Sequence, residues 1–266
     1  MKLFFRKYGD GPPLIILHGL YGSSDNWMTI AKKTCSKFTV YLPDMRNHGN
    51  SPHDDIHDFA SMTSDLHEFA RDHRLNKFFL AGHSIGGKTA ISFAMKWPEK
   101  INGLLVADIS PFTVNDSVSL AFDYHSNILR AILETDISKA GSRREIDIML
   151  SERIRNTRDR GLIMKNIHRS ADNKFTWKIN APSILNNLKE MIEGFSRPAD
   201  NDPGITGFPV IFLKGEKSLY LNPGDFRDIL KLFPAAEFRV VRNAGHWLHA
   251  DNPEAVTEAL LSLLDR

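Results

Sequence analysis

The most constraining feature of the sequence is a short apolar run that ends at a serine between glycines and continues as a helix. Residues 77–81 predict a buried strand, and Gly82-His83-Ser84-Ile85-Gly86 follows directly. Helical spacing continues from Gly86 to Lys96 and is stopped by Pro98. A Gly-x-Ser-x-Gly segment between a strand and a helix predicts a sharp turn that holds the serine above the sheet edge. Ser84 is therefore the candidate nucleophile.

Strands and helices alternate on both sides of this segment, which is typical of a mostly parallel sheet with helices on both faces. Between residues 112 and 203 the alternation stops, and apolar residues recur only at helical spacing, as at Ile128 and Ile132. We therefore expect an α/β core formed by residues 1–111 and 204–266, with residues 112–203 inserted as a helical cap. Further strands are predicted at residues 3–7, 14–17, 38–42, 101–107, 208–213 and 237–241.

The chain has 11 histidines, and their positions single out one as the general base that a serine nucleophile needs. His246 follows the last predicted strand, at the sheet edge where Ser84 is expected, and is the candidate base. His249 and His83 are interpreted as structural. The acidic stretch 44–58 shows no recognised metal-ligand spacing. Three further histidines in that stretch are interpreted as surface loop residues: His48, His53 and His57.

A carboxylate must orient the base, and position alone leaves more than one candidate. In this type of fold the acid usually follows the strand after the cap, but Ser218 occupies that place. Asp108 ends the predicted strand 101–107 and can reach the same imidazole from a neighbouring strand. Asp108 is therefore the preferred acid, with Glu216 and then Asp225 as alternatives.

Backbone N–H groups are needed to bind the negative charge of a tetrahedral intermediate. His18-Gly19-Leu20-Tyr21-Gly22 follows the predicted strand 14–17, and the N–H of Leu20 is one candidate donor. The N–H of Ile85, directly after the serine, is the other, and His18 is expected to brace the loop. Four residues of the inserted segment are expected either to line an acyl pocket or to form ordinary core: Phe112, Phe122, Trp177 and Leu185.

Composition and charge exclude several other classes of protein. Lysine plus arginine is 34 and aspartate plus glutamate is 32, so no basic field indicates nucleic acid. Cys35 is alone, which excludes an internal disulfide, and no run of about 18 apolar residues predicts a membrane span. We expect a cytoplasmic location. One group of arginines is interpreted as a solvated face or as a site for an anionic substrate group, such as acyl-coenzyme A phosphates: Arg143, Arg144, Arg153, Arg155, Arg158 and Arg160.

Four segments together resemble the capped α/β-hydrolase esterases, closest to a small bacterial branch of carboxylesterases and acyl-coenzyme A thioesterases. They are residues 18–23, 44–51, 82–88 and 245–247. In that branch the acid lies in an Asp-Ile-x-Pro segment, which residues 108–111 match, and a serine stands where Ser218 does. A serine rather than an aspartate at position 84 argues against the dehalogenases and epoxide hydrolases of the fold.

The resemblance implies a serine hydrolase that cleaves small-molecule acyl esters or thioesters without a cofactor or metal. Two alternatives remain open. A carbon–carbon bond hydrolase for diketones uses the same three residues, and a small-molecule receptor with little turnover can be built on the same scaffold.

Overall fold

The central sheet contains seven of the strands found in residues 1–112 and 115–265, the part of the chain that the computed structural model describes. Across the sheet the order is first, third, second, fourth, fifth, eighth and ninth strand, and only the first is antiparallel to its neighbour. In chain order the strands are β1 (Phe5–Tyr8), β2 (Pro13–Leu17), β3 (Thr39–Pro43), β4 (Phe78–His83), β5 (Ile101–Ala107), β6 (Ile167–Arg169), β7 (Phe175–Trp177), β8 (Val210–Gly215) and β9 (Ala236–Val241).

Helices follow most strands, as the alternation of the sequence predicts. They are α1 (Met28–Thr34), α2 (Phe59–Asp72), α3 (Ile85–Lys96), α4 (Asn115–Glu134), α5 (Arg143–Ser151), α6 (Thr157–Ile163), α7 (Ala181–Glu193), α8 (Phe226–Leu232), α9 (Leu248–Asp251) and α10 (Pro253–Leu261). None of the helices in the described ranges combines the length and the apolarity needed to cross a membrane.

Both faces of the sheet are covered, because successive side chains of a strand point to opposite sides. In β4, Phe78 and Leu80 pack in one hydrophobic cluster with Ile91 of α3. Phe79 packs in the other cluster, with Leu260 of α10. The continuous apolar run of β4 is therefore explained by burial on both faces, and the predicted parallel sheet flanked by helices is confirmed.

The segment between β5 and β8 contains α4 to α7 and a short hairpin formed by β6 and β7. Its buried residues, among them Ile132, Ile146 and Ile184, belong to the same hydrophobic cluster as the α3 face of the sheet. The hairpin was not predicted, because strands of three residues are too short to show a period of two. The division into core and cap stays a prediction.

Strand register brings the ends of four neighbouring strands to one edge of the sheet. His83 at the end of β4 pairs with Ala107 at the end of β5, and Ala107 pairs with Leu213 of β8. The outer strand β9 pairs with β8 up to Gly215. The residues that follow these strands therefore meet at a single edge.

Candidate active site

Ser84 lies between β4 and α3 in a backbone conformation that residues with a side chain rarely adopt, with φ 54° and ψ −123°. Such a conformation costs about 1–3 kcal/mol and persists only where the surroundings enforce it. The turn needs glycines beside it, because a Cβ on Gly82 would overlap the carbonyl of Gly86, and one on Gly86 would overlap the carbonyl of His18. The strand, serine and helix are arranged as predicted.

Asp108 and His246 form a hydrogen-bonded pair beside Ser84. Asp108 directly follows β5, is fully buried and also has a positive φ, 52°. Its Oδ2 lies 2.8 Å from Nδ1 of His246, whose side chain is 16% exposed. Because a carboxylate accepts hydrogen bonds, Nδ1 carries the proton and Nε2 of the neutral ring can accept one.

The Asp108 carboxylate is held from two further directions. The N–H of Gly215 donates to Oδ1 at 2.8 Å, and the hydroxyl of Ser218 donates to Oδ2. Ser218 thus occupies the place where an acid was expected and contacts the carboxylate supplied by the neighbouring strand.

The two alternative acids are engaged elsewhere. Glu216 accepts a hydrogen bond from the N–H of Asn243 at 2.7 Å. Asp225 forms an ion pair with Arg197 at 2.8 Å. In the described structure it is Asp108 that contacts the imidazole of His246.

Aromatic rings surround His246. Tyr220 stacks on it with ring centres 3.8 Å apart, and His83 lies on another side at 4.6 Å. Nε2 of His83 donates to the carbonyl of His246 at 2.7 Å, which fixes the loop. Burial, together with the carboxylates of Asp159 and Asp108, raises the pKa of Tyr220 to about 12, so its ring stays neutral.

His249 is structural, as interpreted from the sequence. It is buried and stacks on Trp27 with ring centres 4.6 Å apart. Burial lowers its pKa to about 3, which keeps the ring uncharged beside the indole.

The loop after β2 packs against the serine turn. A Cβ on Gly19 would lie 2.7 Å from Nδ1 of His83 and 3.2 Å from Cβ of Ser84, so the backbone before Leu20 runs directly beside the serine. His18 braces this loop as expected. Its Nδ1 donates to the carbonyl of Gly19 at 2.9 Å, and its Nε2 accepts the N–H of Met45 at 2.9 Å.

Ile85, the second predicted backbone donor, directly follows Ser84. It is the first residue of α3, and the first N–H groups of a helix have no acceptor within the helix. Ile85 and Leu20 both line the cavity that contains Ser84. Their role as donors to an oxyanion stays a prediction.

From the sequence, the three histidines in residues 44–58 are interpreted as surface residues. This is wrong for His48 and His57, which are fully buried, whereas His53 is exposed. The carboxylate of Asp44 fixes this segment, because it accepts hydrogen bonds from the backbone N–H groups of Ser24 and Asn50 at 2.6 and 2.8 Å. Burial lowers the pKa of His57 to about 3. The described residues contain no group of three or more side chains arranged to hold a metal ion.

Two cavities meet at Ser84. The larger cavity, about 830 Å³, is walled mainly by apolar residues, including Phe112, Leu120, Leu188, Met191, Ile192 and Leu221. The smaller cavity, about 290 Å³, combines aliphatic residues, among them Ile128, Leu162 and Ile163, with polar and aromatic ones, among them Asn156, Arg158, Asp159, His246 and Trp247. Within the described ranges, five residues line both: Leu20, Ser84, Tyr124, His125 and Tyr220.

Of the four residues expected at an acyl pocket or in ordinary core, Phe112 lines the larger cavity. The other three pack against the hydrophobic core and line neither cavity within the described part of the chain: Phe122, Trp177 and Leu185. Tyr124 and His125, which belong to the inserted segment and line both cavities, were not predicted from the sequence. They lie on an amphipathic helix, and its periodicity does not reveal which turn faces Ser84.

Lys88 was also missed, although its position one helical turn after Ser84 could have indicated it. Its ammonium lines the larger cavity and donates to the carbonyls of Met191 and Ile192 at 3.3 and 2.8 Å. Those carbonyls end α7, where cations are favoured. Burial lowers the pKa of Lys88 to about 7.

Several arginines of the inserted segment contact other protein groups. Arg158 pairs with Asp251 at 2.6 Å and Arg160 with Asp147 at 2.7 Å. Arg153 pairs with Glu134, and Arg143 donates to backbone carbonyls. These contacts favour the interpretation of a charged helix surface over that of a site for an anionic substrate group.

Residues 12–253 match the model of the α/β hydrolase fold family. The chain belongs to this family. A diacylglycerol lipase named sn-1-specific diacylglycerol lipase ABHD11, from Danio rerio, is 33% identical over 263 residues, which cover 98% of this chain and 80% of that protein. Esterase YbfF from Escherichia coli is 28% identical over 256 residues, covering 96% and 94%.

Among solved structures, a marine microorganism esterase superposes with a TM-score of 0.92 at 42% identity, covering 98% of this chain and 99% of that one. The resemblance to α/β-hydrolase esterases drawn from the four sequence segments is thereby confirmed.

Proposed function

We propose that the protein is a serine carboxylesterase that hydrolyses acyl esters through an acyl-enzyme. The observation that carries the proposal is the arrangement at one sheet edge. Asp108 is hydrogen-bonded to His246, and His246 lines the same small cavity as Ser84. A serine, a histidine and a buried carboxylate in this relation are the components of acyl transfer. The names of the similar esterases agree with it.

In the proposed first half-reaction, Oγ of Ser84 attacks the ester carbonyl while Nε2 of His246 removes its proton. The carbonyl oxygen becomes an oxyanion, and the N–H groups of Leu20 and Ile85 donate to it. The tetrahedral intermediate then expels the alcohol, which takes the proton from His246. The acyl group remains on Ser84.

In the second half-reaction His246 removes a proton from water, and the hydroxide attacks the acyl-enzyme. Collapse of the second intermediate releases the carboxylic acid, and the proton returns to Oγ of Ser84. Asp108 keeps Nδ1 protonated, so that Nε2 is the basic nitrogen, and it stabilises the imidazolium formed in both steps. Acyl thioesters are substrates by the same steps, with a thiol as the leaving group.

We also propose that residues 112–203 act as a cap that completes the substrate site. Tyr124 and His125 of α4 and Met191 of α7 wall the larger cavity opposite the sheet. A site enclosed between a core and an inserted segment is a common location for ligand cavities.

The proposal is tested with chromogenic short-chain esters on Ser84→Ala and on one matched pair of variants. Ser84→Ala is expected to abolish turnover. Asp108→Asn is expected to lower kcat by on the order of 10⁴-fold, because the wrong tautomer of His246 is then stabilised. Glu216→Gln, its control, is expected to retain activity, since Glu216 contacts Asn243 instead.

Full activity in Ser84→Ala would exclude this mechanism, and loss of activity in Glu216→Gln alone would assign the acid to Glu216. Binding of esters without turnover would favour the receptor hypothesis. Cleavage of diketones in preference to esters would favour the carbon–carbon bond hydrolase.

A further inference from the structure

The position of His246 distinguishes the two cavities that meet at Ser84. His246 lines the smaller cavity, together with Trp247 and Asp159, and the described walls of the larger cavity do not include it. In the proposed mechanism the histidine must hand its proton to the leaving oxygen, so the leaving alcohol has to lie within hydrogen-bonding reach of Nε2. The alcohol half of the ester therefore belongs in the smaller cavity.

The larger cavity suits the acyl half, because its charged side chains already contact protein groups. Asp225 pairs with Arg197 at 2.8 Å, and Lys88 donates to the end of α7. Lys214 donates to the carbonyls of Gly215 and Ser218 at 3.1 and 2.8 Å. The remaining surface is mainly apolar, which favours a hydrocarbon chain.

In the smaller cavity, the charge of Arg158 is balanced by Asp251 at 2.6 Å. Oδ2 of Asp251 also accepts the N–H of Gly245 at 2.9 Å, directly before the base. The carboxylate of Asp159 has no such cationic partner among the described ion pairs and accepts a hydrogen bond from Tyr124 at 2.6 Å. Because Asp251 already pairs with Arg158, Asp159 is the carboxylate next to the leaving group that no arginine or lysine contacts among the described ion pairs.

Asp159 is fixed in place from both sides. Its backbone N–H donates to the side chain of Asn156 at 3.3 Å, at the start of α6, and its carboxylate is held by the Tyr124 hydroxyl. A carboxylate can accept about four hydrogen bonds, so the contact with Tyr124 leaves acceptor capacity for another hydroxyl.

We infer that Asp159 is a specificity residue that selects esters whose alcohol half carries a further hydroxyl group, with the acyl chain in the larger cavity. This inference rests on the proposed ester hydrolysis. The hydroxyl of the substrate donates to Asp159, while an anionic leaving group is repelled by it.

Three hexanoate esters of similar size test the inference: the 2-hydroxyethyl ester, the propyl ester, and the ester of glycolate. They place a hydroxyl, a methyl or a carboxylate at the same distance from the scissile bond. A hydrogen bond to a charged group favours the hydroxyl over the methyl by on the order of tenfold to a hundredfold in kcat/KM. The glycolate ester is expected to be the slowest.

Variants assign the preference to Asp159. The measured quantity is kcat/KM for the hydroxyethyl ester divided by kcat/KM for the propyl ester. Asp159→Asn keeps the shape of the side chain and removes its charge, and the ratio is expected to fall below the wild-type value. In Asp159→Ala the ratio is expected to be about one. Asp147→Ala is the matched control. Asp147 pairs with Arg160 on the same inserted segment and lines neither cavity in the described structure, so the ratio should not change.

Each failure has a separate meaning. A ratio near one in wild type, with propyl ester hydrolysis that Ser84→Ala abolishes, overturns the inference and leaves the esterase proposal intact. A high ratio that persists in Asp159→Ala overturns the assignment to Asp159. No hydrolysis of any of the three esters overturns the proposed function itself.

Discussion

Lys88 allows the electrostatics of the site to be tested through stability, independently of substrate. Its ammonium is buried between α3 and the end of α7, where burial lowers its pKa from 10.5 to about 7. Substitution of Lys88 by Met keeps the length and apolar character of the side chain and removes the titrating group. The pH dependence of unfolding should therefore differ between the two proteins.

Between pH 7 and 10.5 the unfolded chain holds a proton on Lys88 that the folded chain has released. The unfolding free energy of the wild type should therefore rise with pH relative to Lys88→Met, by up to about 1.4 kcal/mol per pH unit. From about pH 7.5 to 9.5 the expected relative gain is about 2–3 kcal/mol. Below about pH 6 Lys88 is protonated in both states and contributes no slope.

Urea unfolding of wild type and Lys88→Met at several pH values measures this difference, and groups common to both proteins cancel. Lys96→Met is the control, because Lys96 is on the same helix and is exposed. Parallel curves for wild type and Lys88→Met over this range would refute the reasoning, since they would mean that the folded ammonium keeps its proton.

Two further substitutions test the loops around Ser84. Gly19→Ala places a methyl group 2.7 Å from the His83 ring and 3.2 Å from Cβ of Ser84, and the displaced N–H of Leu20 should lower kcat for esters by about 10²-fold or more. Its control, Gly161→Ala, has open space and should leave kcat unchanged; equal kcat in both variants would exclude Leu20 as a donor. Arg46→Leu removes the guanidinium that pairs with the buried carboxylate of Asp65 at 2.6 Å. Chemical denaturation should show a loss of about 3–5 kcal/mol, and a loss below 1 kcal/mol would show that the buried ion pair does not anchor this loop.

The parts of the site that could be predicted from the sequence are those fixed by local chain geometry. The turn at Ser84 needs only a strand, two glycines and a helix. Asp108 directly follows β5, and His246 lies in the loop after β9. Parallel neighbours end at the same sheet edge, so the sequence positions already imply proximity.

The residues that could not be predicted depend on packing between distant segments. Tyr124 reaches the site because of how α4 is oriented over the sheet edge, and its hydroxyl meets Asp159, 35 positions away. The burial of His48 and His57 likewise depends on contacts of Asp44 with backbone groups, and a polar sequence pattern does not show these contacts.

The place of the acid follows from the spacing of parallel strands. Ala107 and Leu213 are partners across β5 and β8, so the residue after β5 and the loop after β8 lie side by side. A carboxylate from either position can reach Nδ1 of the same histidine, provided that the other position supports it. Here the Ser218 hydroxyl and the Gly215 N–H, both from the β8 side, donate to Asp108. An aspartate at 218 would instead place a second negative charge against Asp108, and two adjacent buried carboxylates cannot both remain ionised. Ser218 and Asp108 therefore form one structural unit. An acid after β5 requires a small residue with a hydroxyl group after β8.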